Sequence, residues 1–84
     1  MREKIIAVMQ EIAKDGDLKL VNPLSDNIIL LESGLDSLAF AILVIRLEED
    51  LGYDPFTLME EPIYPRTLGE FVSIYQRFDP SHDH

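Results

Sequence analysis

One segment sets the fold class. From Ser37 to Leu51, Phe40, Leu43, Val44, Leu47 and Leu51 recur at the spacing of one helical face. Gly34, Asp36 and Ser37 stand just before this run, and Gly52 follows it. A short oxygen-bearing side chain ahead of a periodic run is an N-terminal cap, able to take a free backbone N–H. A glycine behind it suits a left-handed C-terminal cap. The pattern predicts a helix over Ser37–Leu51. It places the Ser37 hydroxyl at the positive end of a helix dipole, where a phosphate is favoured.

The rest of the chain reads as further helices. Ile5, Val8, Met9 and Ile12, with Ala13 beside them, form one stripe and predict a first helix over Arg2–Asp15, stopped by Gly16. Asp54 as cap and Pro55 at the first helical position open a short helix. Phe56 and Met59 share its inner face, and Pro62 ends it after about two turns. Thr67 and Glu70 form a capping box for a last helix, with Leu68, Phe71, Val72, Tyr75 and Phe78 as its core stripe. Between the first two helices lies a long connection, residues 17–36, with turn signals at Asn22-Pro23 and Ser25-Asp26-Asn27. Its apolar run, Ile28 to Leu31, has no partner strand run elsewhere. It is therefore read as a loop tacked down by apolar side chains, Leu30 foremost. The expectation is an all-α fold: a small bundle of three main helices and one short one, over residues 1–78, with a polar tail at 79–84.

Composition narrows the function. The 84 residues hold 16 acids against 7 bases, a net charge of −9, which disfavours nucleic acid as a partner. An acidic surface suits docking onto basic patches of other proteins, or simply keeps a small domain in solution. There is no cysteine, so any thiol used in function must be imported. No run reaches the length of a membrane span. The start, Met1-Arg2-Glu3-Lys4, leads straight into the first helical pattern without a signal segment, so a cytoplasmic location is expected.

Catalytic pieces are missing. A nucleophilic serine needs a base within hydrogen-bond reach. The histidines, His82 and His84, sit in the polar tail, and an exposed Asp36 is a poor base toward a hydroxyl. Glu48/Glu49 and Glu60/Glu61 are sequence neighbours, which diverge by about a quarter turn on a helix and do not converge on one atom. No metal site and no catalytic set is expected. A second apolar set, Leu38, Ile42 and Ile45, points away from the core stripe beside Ser37 and reads as a partner-docking surface. Glu48 and Glu49 join it, because acids at a helix C-terminus oppose the dipole and so serve something other than helix stability.

Gly34-Leu35-Asp36-Ser37-Leu38 followed by an amphipathic helix resembles the attachment site of acyl and peptidyl carrier proteins. The likeness spans roughly Ile5 to Phe78 and is most specific from Glu32 to Leu51. It implies that Ser37 carries a 4′-phosphopantetheine arm, placed there by a phosphopantetheinyl transferase with coenzyme A as donor. The arm's thiol then holds an acyl or aminoacyl cargo as a thioester. Asp36 and Leu38 match the flanking residues that the transferase reads, and Gly34 matches the motif glycine. Ala41 and Ile45 match apolar recognition positions further along the helix. Ala39 and Ile42 stand where fatty-acid carriers usually have acids, which makes the chain more like carriers of peptide and polyketide systems. A cargo pocket, if present, lies near Ala41, Phe56 and Met59. The partners implied are the transferase, a loading ligase and downstream synthase or transferase enzymes, served by a monomeric carrier. The alternative is a non-covalent acidic adaptor that binds through Leu38, Ile42 and Ile45.

Overall fold

The computed structural model describes residues 1–60 and 64–79. Four α-helices appear among them: α1 (Arg2–Asp15), α2 (Ser37–Leu51), α3 (Pro55–Leu58) and α4 (Leu68–Arg77). A single 3-10 turn, Leu30–Glu32, interrupts the long loop between α1 and α2. The fold is the small all-α bundle that the sequence predicts. α1 and α2 run antiparallel, since Lys4 pairs with Asp50 at 3.4 Å and Arg46 with Asp15 at 3.1 Å. Both pairs are exposed and add little to stability.

The core takes one stripe from each main helix. Ile5, Val8, Met9 and Ile12 of α1 meet Ala39, Leu43 and Leu47 of α2 and Leu68, Phe71, Val72 and Tyr75 of α4. In α2 the buried line runs i, i+4, i+8 from Ala39. Phe40, Val44 and Leu51, expected on the core face with Leu43 and Leu47, are half-buried along its edge. Leu30 is buried, as the loop reading requires.

The loop is held by more than side chains. Ile29 and Thr67 form an isolated antiparallel bridge. Around it, Leu30 N–H donates to Arg66 O, Leu68 N–H to Ile28 O and Gly69 N–H to Asp26 O. The run Ile28–Leu31 thus finds its backbone partner in the few residues leading into α4. That segment is too short and polar to announce itself as a strand. Ser33 is fully buried and its hydroxyl donates to Leu30 O.

Helix ends differ from expectation at two places. Gly16 is not left-handed; Asp17 is, at φ 56°. Leu18 N–H donates to Ala13 O and Asp17 N–H to Lys14 O, the paired closure of a Schellman motif. The left-handed slot therefore falls one residue beyond the glycine. α3 is one turn rather than two, and Met59 is already extended. Pro62, the expected terminator, lies outside the described residues. Gly52 is left-handed at φ 85° and its N–H donates to Glu48 O, and the Thr67–Glu70 capping box forms in full.

Candidate functional site

Ser37 is the first residue of α2, and Asp36 is its cap. The Asp36 carboxylate accepts the Ala39 N–H at 2.8 Å, while its own backbone stays extended. That bond engages one carboxylate oxygen with a free N–H of the first turn. Behind it, Leu35 is buried and anchors the entry to the helix. Gly34 is left-handed at φ 116°, and a Cβ there would stand 2.3 Å from Lys19 O. Glycine is needed at this position because the chain crosses residues 19–20 at van der Waals contact. Two constraints, a buried leucine and a crossed glycine, thus present Ser37 to solvent at a fixed place.

Ser37 is exposed, and its hydroxyl makes no hydrogen bond to any described residue. At about 100° per residue, Ala41, Ile45 and Glu48 fall on the same outer face of α2, flanked by Leu38 and Glu49. All are exposed; Leu38 retains 71% and Ile45 56% of its surface. Ile42 departs from the expected outer stripe. It is half-buried against the core, on the flank of α2 that carries Arg46 toward α1. Glu48 and Glu49 have no ion-pair partner among the described residues, whereas Asp50, next to them, is tied to Lys4.

The three residues expected to line a cargo pocket differ in exposure. Ala41 is exposed on the outer face, and Phe56 is half-buried, stacked on Phe71 with centroids 6.1 Å apart. Met59 is half-buried beyond the end of α3. An apolar concavity of about 320 Å³ is lined by Phe40 together with Ile29, Leu31, Tyr64, Pro65 and Arg66. The apolar run Ile28–Leu31 was the available sequence signal for it. Phe40, about one turn along from Ser37, is the residue that α2 contributes to its lining.

Behind Phe40 the core is aromatic. Phe40 meets Phe71 at 5.4 Å, Phe71 meets Tyr75 at 4.9 Å, and Phe56 presents edge-on to Tyr75 at 5.9 Å. Tyr53 donates its hydroxyl to Tyr75 O at 2.7 Å. The Tyr75 hydroxyl itself is buried without a partner among the described residues. Burial first, then the charges of Asp54, Tyr53 and Glu48, push this phenol above its ordinary range, so it stays protonated.

No three histidine, cysteine or carboxylate side chains converge among the described residues. His82 and His84 lie outside them. No helix described is long and apolar enough to cross a membrane. Compared with family models, curated proteins and solved structures, the chain finds no match in any of the three.

Proposed function

We propose that the chain is a carrier protein, modified on Ser37 with 4′-phosphopantetheine and holding an acyl or aminoacyl group as a thioester. The observation that carries this reading is an unengaged hydroxyl, exposed at the first position of a capped helix, with no base in reach among the described residues. Such a serine does not activate itself; it suits being a substrate. The helix dipole favours the phosphodiester that the transfer would create. The transferred arm would bring the thiol that this cysteine-free chain lacks. A thioester carbonyl is less resonance-stabilised than an ester or amide, so a partner's nucleophile attacks it readily. The covalent tether raises the cargo's effective concentration at each docked enzyme. The outer face of α2, with Leu38, Ala41, Ile45, Glu48 and Glu49 around Ser37, is the natural docking surface for a transferase, a loading ligase and downstream enzymes. The absence of acids at Ala39 and Ile42 favours partners of the peptide or polyketide kind. The test is peptide mapping after co-expression with a broad-specificity phosphopantetheinyl transferase, with modification expected on Ser37 alone.

The exposure of Leu38 and Ile45 also supports a second reading, a non-covalent adaptor. It expects Ser37→Ala to leave partner binding intact and Ile45→Asp to abolish it. The carrier reading expects Ser37→Ala to end function while partner binding persists.

A further inference from the structure

Ser37 stands between Asp36 and Leu38, and both neighbours line a second concavity of about 310 Å³, on the flank of α2 beside α1. Leu18, just past α1, and Ala39, Ile42 and Arg46 of α2 also line it. The concavity at Phe40, by contrast, is lined by neither neighbour of Ser37. The two positions where acids are missing, Ala39 and Ile42, thus both belong to the groove beside α1. An acid at either would charge its wall; the residues present leave that wall apolar. Leu38 forms an exposed lip at the Ser37 end. Arg46 stands about 12 Å further along the helix. One of its guanidinium nitrogens pairs with Asp15 at 3.1 Å, and the others remain as donors.

We propose that the phosphopantetheine arm on Ser37, when no partner holds it, rests on the surface of the bundle in this groove between α1 and α2. The proposal rests on the carrier reading above and adds where the arm is kept between partners. The arm leaves the serine oxygen as a phosphodiester, which stays in solvent. Next comes a carbon bearing two methyl groups, and these match the apolar wall of Leu38, Ile42 and Leu18, where contact removes apolar surface from water. The arm's hydroxyl follows, at the end of the groove where the Asp36 carboxylate, with one oxygen engaged by Ala39 N–H, retains a second acceptor. Two amides lie further out. Their carbonyls need donors, and the unused N–H groups of Arg46 supply them within the reach of the extended arm. Resting and docking then use different sides of α2. Ala41, Ile45 and Glu48 lie on the outer face, the groove lies on the flank, and Leu38 borders both. A partner that covers Leu38 takes away the lip and frees the arm.

The experiment uses the full chain, isotopically labelled, before and after transfer of the unacylated arm from coenzyme A by a broad-specificity transferase. Intact mass first establishes loading; a mass that stays unchanged sinks the carrier reading and this proposal with it. With loading shown, nuclear Overhauser contacts from the two methyl groups of the arm locate it. Contacts to the Leu18 and Ile42 methyls are expected. Contacts to Ile29, Leu31 or Phe40 instead, or none beyond Asp36 and Leu38, overturn the groove while leaving the carrier reading intact. Two exposed substitutions then test the far end. Arg46→Met removes the donors, whereas Asp15→Asn removes only their ion pair, which adds little to stability. The contacts to Leu18 are expected to be lost in Arg46→Met and kept in Asp15→Asn. Loss in both, or in neither, overturns the part given to Arg46.

Discussion

The Asp36 carboxylate accepts the Ala39 N–H at 2.8 Å, and Ser37 stands between these two residues with its hydroxyl in solvent. The cap and the proposed modification site are thus adjacent, and one substitution can touch both. Asp36→Ala should cost about 1 kcal/mol of stability, a fall of roughly 5 °C in melting temperature. Asp36→Asn keeps the capping oxygen and should melt near the wild type. If the transferase also reads the charge, Asp36→Asn will be modified slowly despite its intact fold. Thermal melts and modification rates of the two variants separate these roles.

Two left-handed glycines should respond differently to the same change. A Cβ at Gly34 meets Lys19 O at 2.3 Å, whereas at Gly52 nothing lies within 4 Å. Gly52→Ala should cost only the left-handed backbone term, about 1 kcal/mol. Gly34→Ala adds a clash with backbone that has no room to retreat, and should cost about 3 kcal/mol or more. Denaturant unfolding of both variants measures the difference. Equal losses would mean that the crossing at residues 19–20 does not constrain Gly34.

Asp17 fills the left-handed slot of the motif that ends α1, at φ 56°. Asp17→Gly should therefore stabilise the protein by about 1 kcal/mol, since glycine adopts that backbone without the side-chain penalty. A rise in melting temperature checks it.

Glu70 accepts the N–H groups of Arg66 and Thr67, which hold its carboxyl below the usual value; the Arg66 charge adds to this. A depressed folded value means that its contribution is present above the unfolded value of 4.5 and lost as pH falls through the folded one. Glu70→Gln retains an acceptor for the box but cannot titrate. Its stability should change less steeply than the wild type below about pH 4.5. Melting temperatures from pH 3 to pH 6 read this directly.

Much of this architecture was legible because its signals are local. Helix starts at Ser37 and Leu68 follow from Asp36 and from the Thr67–Glu70 box, and the core stripe of α1 follows from spacing alone. What the sequence concealed depends on long-range contact. Nothing in Ile28–Leu31 announces that its backbone pairs with residues 66–69. The half-burial of Ile42 is set by where α1 lies, not by its own helix. The sequence predicts a longer α3 than Pro55–Leu58 because the Asp54-Pro55 start is strong while the end has no local mark at Met59. At the site, the exposure of Ser37 was inferable from its place on the helix. The role of Gly34 as a crossing point was not, since residues 19–20 approach it only in the folded chain. The unpaired hydroxyl of Tyr75 was equally hidden: by spacing it is one more core aromatic.

The central claim is that Ser37 is a substrate for phosphopantetheine transfer. Its most direct test is the intact mass of the purified protein after incubation with coenzyme A and a broad-specificity transferase. The account predicts one added phosphopantetheine on the wild type and none on Ser37→Ala. A wild-type mass that stays unchanged, or an adduct that persists in Ser37→Ala, contradicts it.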